Sequence, residues 1–529
     1  MADESAKEKF FNKEGTDWWV WWVSAGFIIV FIIAALINVD TVGAIVTAAF
    51  TWVCDYFGAF WQILLIATFF LGLGLAISKY GAIKLTDEKP DFTTLKWVAM
   101  IVTTLLAGGG VFFSASEPIS HFLNPPPQYA GVVGGTMEAV APALSMSYLH
   151  WGYLAWACLG GLSGILLGYL HYEKGLPLKP RTLLYPILKE KAIDSIWGKL
   201  ADAFAVIGVA AGTIGPIGFL GLQLADAFEI LWGIPNTYTV QLVILAVVGI
   251  FYTLVTTTGL EKGIQHLANF NVILTFIVAG FILLFGPGRF IIDQFLTAFG
   301  VYHRDFVAIS LFRGSGFDWL NSWTFFYWGW FIGYAPIMGV FVARISKGRT
   351  IREIIIAVSL IAPIVTNMWF TVLGGSGIFY ELSNPGSISG PLSDRGLPAC
   401  LLSIGEQLPL STIVIPVLLI LVVLFLATTG TGITYTIAMT VSGDETPDKF
   451  TRAFWCIAMC AAAAVLIRIG GVGSLQDFIV VTAVPCSLLI VPPLWGAFTS
   501  ARKLHEIRTF GKEIPEQSDE QAEPTGANS

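Results

Sequence analysis

Long apolar stretches recur along most of this 529-residue chain and constrain its fold more than any other feature. Hydrophobic residues make up 55% of the sequence and charged residues only 12%, and each stretch is long enough to cross ~30 Å of hydrocarbon as a helix. The chain is therefore predicted to be an all-α integral membrane protein. We expect twelve transmembrane helices, with approximate bounds 18–38, 57–78, 95–121, 141–170, 201–223, 237–258, 267–287, 319–343, 353–376, 411–438, 452–472 and 477–498.

Lysine and arginine residues are distributed unevenly between the loops on the two sides of these spans. Only five of the 29 fall on one side: Arg289, Arg304, Arg313, Arg395 and Arg468. Because basic loops stay in the cytoplasm, both termini are predicted to be cytoplasmic and the number of spans to be even. The expected organisation is a tail over 1–17, a twelve-span domain over 18–503 and an acidic, disordered tail over 504–529.

The polar residues argue against several function classes. The net charge of −7 is dispersed, and no basic tract suggests nucleic acid. Cys456 and Cys460 have the spacing of a metal pair, but no histidine accompanies them, and the six cysteines read as small buried residues. The six histidines are scattered without metal-ligand spacing. The chain is therefore predicted not to be an enzyme.

The predicted eighth span carries an aromatic stripe along one face. Four large rings recur at intervals of four, three and four residues: Trp323, Tyr327, Trp330 and Tyr334. Trp328 and Phe331 widen the stripe, and Gly333 and Pro336 are expected to weaken the helix near its middle. A single ring of this kind is more often part of an interfacial belt, but a belt clusters at one depth and this stripe runs along about three turns. The stripe as a whole indicates a π-rich wall for a cation.

The predicted third span is also interrupted, by Gly108, Gly109 and Gly110, and Pro118 follows Glu117 near its outer end. The third and eighth spans each begin a run of five, and interruptions at matching positions indicate two inverted five-helix repeats, spans 3–7 and 8–12. Such transporters bind their substrate near the midplane. The alternative is that the glycines allow close helix packing. Glu117 and Asp226 are interpreted as outer-end polar residues without a direct role.

Other polar and aromatic groups mark candidate binding positions. In the fourth span, Trp151 and Trp156 lie on different faces and are suited to flank a methylated ammonium through cation–π contacts. In the tenth span, Thr428 and Thr429 offer hard oxygen ligands for Na⁺, although threonine hydroxyls in membrane helices also bond to their own backbone. Asn271 in the seventh span is expected to face something other than lipid.

The sequence resembles a known family, the betaine/choline/carnitine transporters, over residues 15 to 500. The most specific match is FYWGWFIGYAPIMGVFVARISKGRTIRE in the eighth span. SEPISHFLNPPP, HWG…AW, EKGIQHLANFN and LPLST match elsewhere. The resemblance implies the inverted-repeat fold of the sodium symporters (LeuT-like), alternating access, a homotrimer and a place in a bacterial inner membrane.

The resemblance also implies a substrate site. The family's aromatic positions match Trp151 and Trp156 in the fourth span and Trp328, Trp330 and Tyr334 in the eighth. Phe331 stands where the family usually has tryptophan, and Ala107 and Gly108 are placed among the substrate-binding residues. Leu159 and Ser120 replace tyrosines of the family, which implies a reshaped aromatic cage. The expected substrate is glycine betaine, choline, carnitine or a similar methylated ammonium or sulfonium compound.

For the ion, the resemblance implies one Na⁺ site. The site would be formed by Phe425, Thr428 and Thr429, with carbonyls near Ala107 and Leu106 as co-ligands. Asn271 occupies the place of an arginine that substitutes for the ion in sodium-independent exchangers. A second ion site is incomplete, since it keeps Thr213 but has Val209 and Met338 at its other positions. Na⁺-coupled import is therefore expected, with a sodium-independent substrate/product exchanger, or transport of a non-quaternary zwitterion such as taurine, as alternatives.

Overall fold

The computed structural model describes residues 16–258, 261–443 and 447–510, except for the side chains of 104–108, 261–268 and 510. Most of the two predicted tails lies outside the described residues, but 504–510, assigned to the disordered C-terminal tail, belong to the helix Pro493–Phe510. The first half of the chain forms helices α1 Trp18–Ile37, α2 Val39–Ile77, α3 Thr94–Leu123, α4 Met137–His150, α5 Tyr153–Cys158, α6 Gly161–Tyr172, α7 Tyr185–Leu188, α8 Lys191–Asp194, α9 Ile196–Trp232, α10 Tyr238–Thr257 and α11 Glu261–Phe285.

The second half continues in the same way. Its helices are α12 Gly288–Ser310, α13 Phe317–Leu320, α14 Phe326–Ile345, α15 Ile351–Ile356, α16 Ala362–Phe370, α17 Ser376–Ser383, α18 Ser389–Arg395, α19 Ala399–Gln407, α20 Ser411–Ser442, α21 Lys449–Leu489 and α22 Pro493–Phe510. Three π-helical turns join neighbouring helices: Asn321–Phe325, Ala357–Ile361 and Thr371–Gly375. Within the described ranges there is no β-strand, only a single antiparallel bridge between Lys84 and Thr350. The all-α prediction is confirmed.

Nine helical stretches of the described chain are long and apolar enough to cross a membrane. A tenth span is counted if Asn269–Phe285 and Gly288–Ser310, which meet at a bend of 105°, form one broken span. All twelve predicted spans fall on helical segments, and the boundary expected near 472 coincides with a kink at Gly470 and Gly471 inside α21. The chain is thus a multi-span helical protein, and the count of twelve stays a prediction.

Two boundaries differ from those predicted. Helix α2 begins at Val39 rather than near 57, because the Asn38 side chain caps it by accepting the Thr41 amide at 3.0 Å. The fourth span is not one helix but three, α4 to α6, broken at Trp151–Gly152 and Leu159–Gly160. A Cβ on Gly152 would lie 1.9 Å from the Tyr148 carbonyl oxygen, and Gly160 has a φ of +129°, so both breaks require glycine.

The interruptions expected in the third and eighth spans are not observed. Helix α3 runs through 108–110, and helix α14 runs through Gly333 and Pro336, without a break. The glycines are used for packing instead. A Cβ on Gly208 of α9 would lie 3.1 Å from the Gly333 carbonyl oxygen, so the two backbones are in close contact. The alternative interpretation of the sequence, in which the glycines allow close helix packing, therefore agrees with the structure at these positions.

The core is built around α9, α14 and α21, which pack against one another, with α3, α4 and α20 beside them. Helices α1, α2, α10 and α11 expose large apolar side chains on their outer faces, including Leu36, Ile63, Val247 and Phe276. An apolar belt of this kind is stable only against lipid, as expected for a membrane protein. Helix α12 is amphipathic and buries one face, which includes Ile291, Ala298 and Tyr302. The segment between α16 and α20 contains α17 to α19.

Arg181 ties the start of α1 to α9 through a half-buried ion-pair network. Its guanidinium bonds to Asp17 Oδ2 and Asp202 Oδ2, both at 2.7 Å, and to the Ile193 carbonyl oxygen at 3.0 Å. Burial raises the pKa of the Asp17 carboxyl, but the hydrogen bonds from Arg181 and the Val20 amide and the charge of Arg181 together hold that pKa below its ordinary value. The network fixes the first span to the body of the protein.

Candidate functional site

Three of the predicted substrate-binding rings meet at the junction of α4, α5 and α14. The Trp151 ring centroid lies 5.8 Å from that of Trp330 and 5.4 Å from that of Phe331, and both pairs meet edge to face. All three side chains are at most 5% exposed. The faces of such rings are electron-rich and are the surfaces that bind a cation in cation–π contacts.

Glycines on α3 and α9 let these rings approach the helices. A Cβ on Gly109 would lie 2.0 Å from Cη2 of Trp330, and one on Gly212 would lie 2.1 Å from Cε2 of Tyr334. The Trp330 indole N–H donates to the Gly212 carbonyl oxygen at 3.0 Å. The Tyr334 hydroxyl is bonded to Thr213 Oγ1 at 3.1 Å. The position of α14 in the site is therefore set by backbone that only glycine provides.

Five further rings line the same cluster and were not among the predicted site residues. Their centroids lie 5.0–6.3 Å from those of Trp151 or Trp330, and the residues are Phe113, Phe219, Phe326, Tyr327 and Phe370. Tyr327 belongs to the stripe visible in the sequence, and Phe326 precedes it on α14. The other three come from α3, α9 and α16, and no periodicity within one span connects them, so only the tertiary packing brings them together.

Trp156 and Trp328 lie apart from this cluster. Both are fully buried, and within the described chain neither ring is in contact with Trp151 or Trp330. Trp328 instead lies 6.0 Å from His150, since two residues along a helix point to different faces. Both indole N–H groups have no partner among the described residues, which leaves them as donors for a ligand. Their place in the substrate site stays a prediction.

The side chains of Leu106 and Ala107 and the burial of Gly108 lie outside what the structure describes. The structure gives their backbone as part of α3, directly before Gly109, which touches Trp330. Their predicted roles in substrate and Na⁺ binding stay predictions.

The predicted sodium ligands lie on α20, which packs against α3 and α11. Thr428 Oγ1 donates to the Leu424 carbonyl oxygen at 2.8 Å and accepts from Asn271 Nδ2 at 3.2 Å, so it bonds to its own helix as the alternative interpretation expected. Thr429 does not. Its buried hydroxyl and Asn271 Oδ1 have no hydrogen-bond partner among the described residues. Buried oxygen atoms without a hydrogen-bond partner have the chemistry of ligands for a hard cation such as Na⁺, and the Na⁺ site itself stays a prediction.

The structure surrounds Glu117 with hydrogen-bonding partners that the sequence analysis did not identify. Its side chain is completely buried, and its Oε1 accepts from His150 Nδ1 at 2.7 Å and His121 Nε2 at 3.2 Å. Its Oε2 accepts from the Trp151 indole N–H at 3.0 Å. His150 lies 33 positions away in the chain and is brought in only by packing, and the interpretation of Glu117 as an outer-end residue without a direct role stays a prediction. Asp226 pairs with Arg395 at 2.9 Å and makes no contact with the site.

One family profile and several known proteins are similar to this chain. A profile of the BCCT family, betaine/carnitine/choline family transporters, matches residues 19–506. The chain belongs to this family. It is 47% identical over 481 residues to "Glycine betaine transporter 2" of Vibrio parahaemolyticus, covering 90% of this chain and 89% of the relative.

Other family members are similar over comparable lengths. "Glycine betaine transporter OpuD" of Bacillus subtilis is 33% identical over 494 residues, 92% of this chain and 94% of its own. "Ectoine/glycine betaine/proline transporter EctP" of Corynebacterium glutamicum is 31% identical over 491 residues, 90% of this chain and 79% of its own. The chain is thus a multi-pass membrane transporter of a small molecule, and the family's members are not enzymes.

Proposed function

We propose that the protein is a secondary active transporter that imports glycine betaine or a closely related methylated ammonium or sulfonium compound. The observation that carries this proposal is the buried cluster of Trp151, Trp330 and Phe331. A quaternary ammonium has no N–H to donate, so ring faces recognise it without requiring hydrogen bonds, and a desolvated cation–π contact contributes about 2 kcal/mol. The relatives named as glycine betaine transporters support the same substrate class.

We further propose transport by alternating access. The three rings are shut off from solvent in this structure, so a substrate reaches them only if neighbouring helices move. The breaks at Trp151–Gly152 and Leu159–Gly160, and the π-helical turn before α14, lie next to the rings and are the natural points of movement. The inverted five-helix repeats and the twelve spans belong to this proposal.

Coupling to one Na⁺ is the third part of the proposal. Phe425, Thr428 and Thr429 on α20 would hold the ion, with carbonyl groups near Leu106 and Ala107. The unsatisfied oxygens of Thr429 and Asn271 support this assignment. The inward Na⁺ gradient would supply the energy for accumulation. Cytoplasmic termini, a bacterial inner membrane and a homotrimer complete the proposal.

Uptake into proteoliposomes tests the substrate class and the coupling to Na⁺ directly. The purified protein is offered labelled glycine betaine, choline, carnitine, dimethylsulfoniopropionate and taurine, with and without an inward Na⁺ gradient, and empty liposomes are the control. Glycine betaine is expected to accumulate only with the gradient. Transport that requires preloaded substrate would mean a sodium-independent exchanger. Uptake of taurine alone would contradict recognition through a methylated ammonium.

A further inference from the structure

The Glu117 carboxylate lies in α3, the predicted third span, and ionisable groups in membrane spans are costly to bury and mark functional sites. It is completely buried and bonded on both oxygens, to His121 and His150 on one side and Trp151 on the other. The proposed function accounts for the Trp151 ring but not for this carboxylate bonded to its indole N–H. Glu117, His121 and His150 form a cluster of three buried titratable side chains beside the rings.

One assignment of protons satisfies all the hydrogen bonds of the cluster. Because His150 Nδ1 donates to Glu117, its Nε2 is free to accept from the Thr324 hydroxyl, which lies 3.0 Å away. His121 donates its Nε2–H in the same way. Every contact is satisfied with both imidazoles neutral and the carboxylate ionised. The other titratable group facing Glu117 within the described chain is Tyr327, and no lysine or arginine contacts it.

An ionised carboxylate affects Trp151 in two ways. The bond of 3.0 Å to the indole N–H fixes the plane of the ring, which is further held by contacts with Phe331 and Phe370. The same bond draws the N–H proton towards the carboxylate and leaves more negative charge on the ring face. Both effects favour a cation at that face.

We propose that Glu117 is a positioning and specificity-determining residue that acts through Trp151 and tunes its ring for a cationic head group. This inference rests on the proposed function, because it requires Trp151 to contact the substrate. His121 and His150 keep the carboxylate ionised and in place. Glu117 itself does not touch the substrate.

A double-mutant cycle tests the link between the two residues. Glu117→Gln removes the charge, and Trp151→Phe removes the indole N–H but keeps a ring. Each variant is expected to raise the KM for glycine betaine uptake about tenfold, the size of one charge-assisted hydrogen bond. If Glu117 acts through Trp151, the KM of the double variant is no higher than the higher of the two single-variant KM values. A double-variant KM raised by the product of the two single effects would overturn the proposal.

A second readout separates tuning from a structural role. 3,3-Dimethylbutyrate has the shape of glycine betaine with carbon in place of the ammonium nitrogen, and it is used as a competitor. Glu117→Gln is expected to raise the KM for glycine betaine without changing inhibition by this uncharged-head isostere. Equal losses for both compounds would show a purely structural role. Asp226→Asn, which removes another buried carboxylate remote from the rings, is the control and should leave KM unchanged.

The remaining outcomes are also decisive. If Glu117→Gln does not reach the membrane, Trp151→Phe alone decides, because an unchanged KM there contradicts any role for its N–H. Glu117, His121 and His150 also have donor atoms within 4.8 Å of one another. A stoichiometric metal in the purified protein would overturn the proposal, since it would occupy the atoms that make these hydrogen bonds. If the wild type takes up no methylated compound, the proposed function falls first.

Discussion

Trp330 occupies the centre of the ring cluster and is held on several sides. Its indole N–H bonds to Gly212, its six-membered ring lies against Gly109, and its ring meets those of Phe113 and Trp151 edge to face. A side chain constrained in this way has one orientation. Binding of a substrate to this ring would therefore cost little further side-chain conformational freedom.

Replacing Trp330 with alanine should weaken substrate binding more than it affects protein folding. Loss of one desolvated cation–π contact predicts a KM for glycine betaine about tenfold higher, measured by initial rates of uptake. Trp455→Ala is the matched control, because Trp455 is equally buried but packs in α21 against Phe454. An unchanged KM in the Trp330 variant would remove this residue from the site.

The oxygens of Thr428 and Thr429 lead to a prediction about the ion. The double variant Thr428→Ala/Thr429→Ala should lose Na⁺ stimulation of uptake, because it removes the two hydroxyls proposed as ligands. Uptake against Na⁺ concentration is the measurement. Thr436→Ala on the same helix removes a hydroxyl that bonds only to the Gly432 carbonyl oxygen within the described chain, and it should keep the normal curve. A normal curve in the double variant would place the ion elsewhere.

At the scale of residues, helical periodicity in the sequence correctly predicted which side chains of one helix share a face. The spacing of Trp330 and Tyr334 on one helix places both in contact with α9, as the structure has them. The role of Glu117 was missed because two of its hydrogen-bonding partners, His150 and Trp151, lie at the end of α4 and are brought to α3 only by packing. One signal was available, since Glu117 and His121 are four residues apart and a buried helix face brings such a pair together.

At the scale of elements, α3 and α14 show how glycine determines helix contact. Both helices are continuous, and their glycines bring backbone and rings together rather than breaking the helix. Hydrophobic length predicted the helices correctly. Hydrophobic length did not distinguish a glycine that breaks a helix from one that allows a neighbouring side chain or helix to pack closely, because both appear in the sequence as a glycine within an apolar stretch.

The contact between Gly109 of α3 and the Trp330 ring leads to a testable prediction. Gly109→Ala adds a methyl group 2.0 Å from the Trp330 ring, so the ring or the helix must move. We expect a destabilisation of about 1–3 kcal/mol and a higher KM for glycine betaine. Thermal unfolding in detergent and uptake kinetics measure the two effects.

Gly26→Ala in α1 is the control for this substitution. A Cβ there meets no atom within 4 Å, so stability should stay the same or rise slightly. Equal behaviour of the two variants would mean that the contact between Gly109 and Trp330 has no consequence for the site.

At the scale of the whole molecule, the order of spans could be predicted but their breaks could not. Hydropathy locates each helix from local sequence alone. The three-part fourth span depends on Gly152 lying against the Tyr148 carbonyl oxygen and on Gly160 in the left-handed region, which tertiary packing enforces. These breaks place Trp151 at the end of α4, where it faces α14. The part of the backbone that was hardest to predict from the sequence therefore positions a residue of the candidate site.

The Arg181 network connects distant parts of the chain, and its loss should affect the whole fold. Arg181→Met would leave Asp202 buried without its partner, which predicts a loss of about 3–5 kcal/mol in unfolding free energy. A lower apparent Tm in detergent at pH 7 is the measurement. Arg304→Met is the control, because its ion pair with Asp305 is equally short but its guanidinium is exposed, and it should change Tm little.

The pH dependence distinguishes this network from simple packing. The pKa of Asp17 is lowered in the folded protein, so its contribution to stability is fully present above the ordinary carboxyl range and is lost as pH falls through the folded value, below about 4. The wild type should therefore lose stability faster than Arg181→Met as the pH is lowered from 7 into that range. Since Arg181 holds the Asp17 pKa down, the variant's curve should be flatter. Parallel curves for the two proteins would show that the ion pair with Asp17 contributes nothing to holding α1 in place.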